Sequence, residues 1–546
     1  MPPRIQVRAG RPEYLLELRL AGTPYRFGSI PLRVPRADGT TTTWQEGLIA
    51  VEGLPRSADS AAVTIASGSV DWARLASRGQ DLGSARATLY RWWAGQVLEQ
   101  AEVVLEGGVD APEYGDINEP FTLSITVEAW RDRALIPSAT MRCDSSTWPV
   151  DTAAVLDEPA RGAPYPIPIG RPGAAAWDAA DNLVEAGAVI AASPAYLVEY
   201  HDSGIARDLS KLLIAGCPIQ ASTVWVIDAS DGLTEARTVQ YASDLRGRRV
   251  AYVDFASATT LRAVEGHEYA VAFPPGHGGI WDVETQSYAR GAGSVLVALY
   301  GPLLGRLEPG SSVGVPIDLG RMAAQRAYLD RFAIDGVIRD TTSVHEWVER
   351  ELAPILPISW VRGHAGWYWL AWRWDAAPED AVALLDVGTG RVKRLSRIRA
   401  VPTEDIYSQF RLEYGCGADG APLRRRILAA EADPNDTRVR ANWRCWQARA
   451  RQQARDAGGG SEWAQTSQVI QDDATADRVI EWLAARHATP PVEATYEGGP
   501  ELEALQLGDV VLVTDPDMYF SRRIALVRDI VPGEVVRVDL WLLQAR

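Results

Sequence analysis

Between Phe121 and Ala129 the apolar side chains fall on every second residue, with Thr, Ser and Glu between them. A period of two sends alternate residues to opposite faces of a strand, so one set meets a core and the other meets water. The pattern recurs where Leu16, Leu18 and Leu20 alternate with Glu17 and Arg19. It returns near the far end, where Val536, Val538, Leu540 and Leu542 alternate with Arg537, Asp539 and Trp541. Further strands are expected at 61–66, 85–93 and 97–106, with a helical turn at 71–75 between two of them. Short strands this closely spaced form a small barrel or sandwich. The 47 glycines and 34 prolines supply the turns such a fold needs.

The expected fold class is mainly β with some α, in a multidomain chain. At 546 residues there is room for three or four cores. Residues 1–150 and 399–546 are read as small β-barrel domains, 151–320 as a β-rich inserted domain, and 321–398 as a small α/β domain. The boundary is the Pro-, Gly- and Ala-dense stretch 144–176. After it, apolar stretches at 187–191, 223–228, 237–242, 249–255, 269–273 and 294–300 read as strands. Ser343 and Glu346 fit a capping box, and Val344, Trp347, Val348 and Leu352 then line one helical face until Pro354 and Pro357 stop it. The run at 366–374 and Gln409–Tyr414 read as strands, and 436–456 as a polar stretch compatible with helix. Asp473 reads as the N-cap of a helix near 474–487, with Ala476, Val479, Ile480, Leu483, Ala484 and His487 at 3–4 spacing. That stripe is expected to bury itself on the sheet built from 509–514 and 534–543, and the strands there to complete the C-terminal barrel.

The formal charge of −16 disfavours non-specific nucleic-acid binding, which needs a basic surface. Cys143, Cys217, Cys416 and Cys445 include no C-x-x-C pair, so buried reduced thiols are expected in place of a metal centre. The N-terminal MPPRIQVRAGRPEY has no apolar segment of signal-peptide type, and no apolar run approaches the roughly 18 residues needed to span a bilayer. Gly415, Gly417 and Gly420 match G-x-G-x-x-G, but the preceding strand alternates polar and apolar residues where a dinucleotide fold has a continuously apolar one. A hairpin turn is expected there. His345-Glu346 lacks the second histidine of a zincin and reads as an exposed helix start. His267 and His277 read as turn residues, as do Asp228 and Asp231 in VIDASDG. No catalytic, cofactor-binding or metal-binding residue is assigned. The 20 tryptophans are either core filling or interface residues.

The order of segments resembles the baseplate-hub proteins of long-tailed bacteriophages and related tail-like particles. The resemblance rests on DIYSQFRLEYG (405–415), VIQDDATADRVIEWLAARH (469–487) and LQLGDVVLVTD (505–515), preceded by SVHEWVERELAPILPISWVRGHAGWYWLAW (343–372). The N-terminal strands with YPIPIG (165–170) fit the first barrel and its exit. Residues 177–320 match no part of that pattern. The resemblance implies two related barrels per chain and a homotrimer whose six barrels match the six-fold tail tube above and three-fold fibres or spikes below. It implies a structural virion protein, not an enzyme, assembled in the host cytoplasm. The partners would be distal tail and tail-tube proteins, the tape measure protein and central fibre or spike proteins. DNA would pass without specific binding along an acidic channel. Two other readings stay open. One is a carbohydrate-binding adhesin using Trp177, Trp225 or Trp281, and the other is a glycan hydrolase with paired carboxylates in a Trp-lined cleft.

Overall fold

In the computed structural model the alternating segment around Leu16 is the strand Glu13–Leu20, of which only Arg19 is exposed. Leu16, Leu18 and Leu20 enter one core, Leu15 enters another, and Glu17 is itself buried. Arg19 and Arg26 donate to the two Glu17 oxygens at 2.7 and 2.6 Å. Burial pushes that carboxyl up, and the two guanidinium groups more than offset it, holding it below the usual range. The structure describes residues 12–51, 60–66, 82–110, 120–126, 135–148, 154–174, 192–201, 209–256, 260–282, 286–301, 303, 316–363, 366–396, 399, 405–416, 421–429, 439–455, 461–532 and 535–543. The expected turn at 71–75, the stretch 187–191, Trp177 and Gly417 lie outside them.

The fold is mainly β and multidomain. Three large sheets share one topological device. The nine-stranded sheet runs in the order Leu32–Pro35, Thr41–Glu46, Thr23–Gly28, Glu13–Leu20, Arg86–Trp92, Glu102–Val109, Phe121–Thr126, Ser60–Ile65, Leu48–Val51. Thr41–Glu46 and Leu48–Val51 lie towards opposite ends of that order, yet only Gly47 separates them in the chain. Gly47 donates to the Gly28 carbonyl at 3.1 Å and accepts from Ala66 N at 2.8 Å, so the sheet must roll until its two ends meet there.

The middle sheet runs Leu233–Thr238, Thr223–Asp228, Tyr269–Ala272, Ser193–Glu199, Lys211–Ala215, Arg249–Asp254, Gln240–Ser243. Its two end strands are joined by Val239 alone, so it rolls in the same way, and the expected strand 237–242 is in fact this corner. The C-terminal sheet runs Ala383–Asp386, Val510–Asp515, Phe520–Val531, Val536–Leu542, Val492–Gly498, Val392–Arg394. Its end strands are again neighbours in the chain, joined through the turn Val387–Thr389. Both precede residue 399, where the C-terminal domain was expected to begin.

Between the rolled sheets lies a mixed layer. The apolar run at 294–300, expected as a strand, is the helix Ala292–Tyr300. Nearly every side chain in it is buried, so the run carries no periodicity to separate helix from strand. Asp330 supplies its N-terminal cap from outside, accepting from Ser294 N and Ser294 Oγ, both at 2.8 Å. Ser343 caps the helix Val344–Trp347 as expected, accepting from Glu346 N at 3.0 Å. That helix widens into a π turn, Val348–Leu352, before the hairpin of Ile358–Arg362 and Trp367–Ala371.

His345 is not an exposed helix start. It is buried, stacked on Trp369 with centroids 5.3 Å apart and edge-on to Trp360 at 5.0 Å, while its Nε2 lies 2.9 Å from Glu349. Spacing alone gave no sign of this, because the aromatic wall arrives from a hairpin later in the chain.

The helix Asp473–His487 forms with its expected buried stripe, although its N-cap is Asp472, one residue earlier, accepting from Thr475 N at 2.9 Å. Its partner differs from expectation. The stripe packs on Gln409–Cys416 and Pro422–Ala429, and on a second helix, Val439–Arg455. Phe410, Leu412, Tyr414 and Leu428 share its core, whereas the interior of the C-terminal sheet is a separate cluster. The C-terminal sheet fills its own interior and turns an outer face, with Val510, Leu526 and Leu543, to the mixed layer, while the stripe takes the sheet containing Gln409–Cys416 and Pro422–Ala429.

Candidate functional site

The strands Thr223–Asp228 and Tyr269–Ala272 pair so that Asp228 lies opposite Tyr269 at the end of the middle sheet. Asp228 makes the turn its VIDASDG context predicts, its Oδ1 accepting from Ser230 N at 3.0 Å and Asp231 N at 3.2 Å. Its Oδ2 sits 2.9 Å from His267 Nδ1, and the exposed Asp231 carboxylate is 3.8 Å from the same nitrogen. Asp228, Asp231 and His267 thus place three potential metal donors within 4.8 Å of one another. His277 takes no part in this group, and its Nδ1 instead accepts from Ser222 N at 3.3 Å. The Asp228–His267 pair was invisible in the sequence because it depends on which strands become neighbours. Both oxygens of Asp228 are already engaged in holding the loop, which gives the trio a structural role without any ligand.

His267 also forms part of the wall of a cleft of about 470 Å³ between the middle sheet and the segment 336–351. Tyr196, Tyr269 and Trp347 give it aromatic surface, and Glu268, Arg339 and Glu351 give it charge. Burial pushes the Tyr196 phenol up to about 12, so it stays a hydrogen-bond donor across the physiological range. Tyr269 is committed elsewhere, its hydroxyl accepting from Val264 N at 2.9 Å. Among the described residues no Ser, Thr or Cys lines the cleft. Trp225 and Trp281, raised above as sugar-stacking candidates, do not line it.

Elsewhere, Cys143, Cys217, Cys416 and Cys445 are all buried. Burial pushes the Cys217 and Cys445 thiols up to about 12, so they remain protonated and poor metal ligands or nucleophiles. The strands flanking the G-x-G-x-x-G stretch pair as an antiparallel hairpin, with Cys416 opposite Pro422. Residues 417–420 lie outside the described set. No helix among the described residues is long and apolar enough to cross a membrane.

The N- and C-terminal rolled sheets touch each other. Arg91, buried on Arg86–Trp92, donates to Glu503 at 2.6 Å, lies 3.6 Å from Glu102 and stacks over Trp93 at 4.5 Å. Glu503 belongs to the turn Pro500–Ala504, whose Leu502 fills the interior of the C-terminal sheet.

No protein-family model and no curated protein matches the chain. Among solved structures it is similar to a chain of the virion of a native gene transfer agent particle, at 14% identity and a TM-score of 0.34, covering 73% of this chain and 88% of that one. It is similar to the 43 kDa tail protein of prophage MuSo2 from Shewanella oneidensis, at 11% identity and a TM-score of 0.26, covering 59% and 90%. It is also similar to the prophage tail protein gp18 from Listeria monocytogenes EGD-e, at 8% identity and a TM-score of 0.24, covering 59% and 94%.

Proposed function

We propose that the chain is a structural component of a bacteriophage tail tip or related tail-like particle, of the baseplate-hub kind, and that it acts by assembling and not by catalysis. One observation carries this reading: the two terminal sheets are rolled by the same device and held side by side through Arg91 and Glu503. A chain presenting two adjacent barrels makes a ring of six from three copies, which reconciles six-fold and three-fold partners. The six-fold partner would be the tail tube and the three-fold partner a central fibre or spike. The acidic balance suits a channel that lets the tape measure protein and then DNA pass without adhesion. Electron cryo-microscopy of assembled particles tests it. Three copies in a six-barrel ring is the expected result, and a copy number of six or twelve without a three-fold ring overturns it.

A second reading has one observation in its favour. The cleft with Tyr196, Glu268 and Glu351 combines an aromatic face and carboxylates of the kind that hold sugars. Glycan-array binding lost on Tyr196→Ala would support an adhesin, and no binding to any glycan sinks it.

A further inference from the structure

The helix Val439–Arg455 carries two opposite faces. Cys445, Ala448 and Gln452 are buried, and Gln452 Nε2 donates to the Ile406 carbonyl at 2.7 Å. On the other side Trp443, Trp446, Ala450 and Gln453 recur at steps of three and four and stand in solvent. Trp443 is 57% and Trp446 60% exposed, the most exposed tryptophans among the described residues. The helix contains five arginines and no carboxylate. With those five set aside, the formal charge of the chain moves from −16 to −21. By helical register Arg444 and Arg451 follow one flank of the exposed stripe and Arg449 the other. A neutral aromatic centre between arginine flanks is the anatomy of a protein interface, where Trp and Arg supply most of the binding energy. A phosphate-binding surface would place the charge at its centre instead.

The chain also carries a face of opposite character. Ala383–Asp386 is an end strand of the C-terminal sheet, hydrogen-bonded to Val510–Asp515. Val382 and Leu384 project into solvent beside it, and Glu379, Asp380 and Asp386 flank them. Two exposed apolar side chains between carboxylates form a patch that a partner can cover.

From this charge complementarity we propose that the Trp443–Trp446 face docks on the Val382–Leu384 edge of a second copy of this chain. The contact joins two different patches, so it propagates head to tail, and the three-copy ring of the hub reading is the closed form of such a contact. It deepens the hub reading and rests on that reading for the number of copies.

Native mass spectrometry on the full chain tests the proposal with two variants, Trp443→Glu/Trp446→Glu and Leu384→Glu. All three substitutions fall on exposed side chains, so far-ultraviolet circular dichroism should match wild type. Wild type should be an oligomer, and each variant should weaken self-association about 100-fold or more. Mixed together, the variants retain one good helix and one good edge between them and should give a one-to-one dimer that stops there. Wild-type mass in either variant, a monomeric wild type, or no dimer on mixing overturns the proposal. So does a tryptophan pair that instead governs binding to single-stranded DNA or anionic vesicles. Electron microscopy separates the two readings. Three-fold rings formed equally by wild type and variants remove the docking site and leave the hub standing. A mixed dimer from a chain that never enters a tail removes the hub and leaves the docking site.

Discussion

The N-terminal and C-terminal rolled sheets are built by one device yet stabilised differently. The C-terminal sheet encloses its own core, in which Tyr496, Val511, Val513, Val527, Val538 and Leu540 meet no buried residue of the rest of the molecule. The inner residues of the N-terminal sheet, such as Leu18, Val63 and Leu89, belong instead to one cluster that continues through the middle sheet and the mixed layer. Its other face buries a second group, Leu15, Val34, Trp44, Trp92 and Leu98. A closed interior makes a unit that opens on its own, whereas a shared core ties opening to its neighbours. Sheet order alone does not decide independence. What decides it is whether the interior cluster is separate: the outer face of the C-terminal sheet meets the rest of the molecule through Val510, Leu526 and Leu543, while its interior does not.

The largest effect should come from placing a charge in each core. Val527→Asp and Leu89→Asp each bury an unpaired carboxylate at the cost of several kcal/mol. Hydrogen exchange should show loss of protection confined to 383–394 and 492–543 for Val527→Asp. For Leu89→Asp the loss should spread into the middle sheet. Equal spread from both would erase the distinction. Next is the bond between the two sheets: Arg91→Ala leaves Glu102 and Glu503 facing each other and removes the stacking on Trp93. About 2–3 kcal/mol should be lost, and a double-mutant cycle with Glu503→Gln should recover much of it.

The third test is acid. His487, in the layer between the sheets, has its pKa pushed down to about 4 by burial and then by Arg486. Its folded-state value lies below the unfolded one, so the neutral ring is favoured in the fold. Stability is therefore intact above about pH 6.5 and declines as pH falls toward 4, by on the order of 2 kcal/mol. Neither terminal sheet contains a histidine, so the loosening should begin at the helix Asp473–His487. His487→Gln should flatten that part of the urea-stability profile against pH, and an unchanged profile would remove the role assigned to His487. The smallest effect belongs to Arg478→Glu on the exposed side of the same helix. Its guanidinium donates to the Arg331 carbonyl at 2.5 Å, and the change in melting should correspond to about 0.5 kcal/mol.

Much of the strand inventory was legible because half-buried strands write their two faces into alternate residues, as Val536–Leu542 does. The capped helix at 473–487 was legible for the same kind of reason, being polar on one side and apolar on the other. Features that depend on distant neighbours were not. Glu17 looked solvent-facing until Arg26 crossed from the next strand, and His345 looked exposed until Trp360 and Trp369 closed over it. The run at 294–300 failed because burial on every side erases periodicity. At the candidate site the turn chemistry of Asp228 could be read locally. Its pairing with His267 and the cleft between 192–197 and 336–351 arise only once the sheets are assembled.

The bond between Arg91 and Glu503 spans 412 positions of sequence. At a synthesis rate of about 5–20 residues per second, the acceptor for that arginine emerges roughly 20 to 80 s after the arginine itself. For that interval the segment carrying Arg91 has Glu102 and Trp93 at hand but lacks its partner from the far end of the chain. The Arg91–Glu503 contact can therefore form only after the C-terminal segment has been made. A slowed or truncated message would release a chain with an open acceptor site for the Glu503 of another copy, which is a route to swapped assemblies.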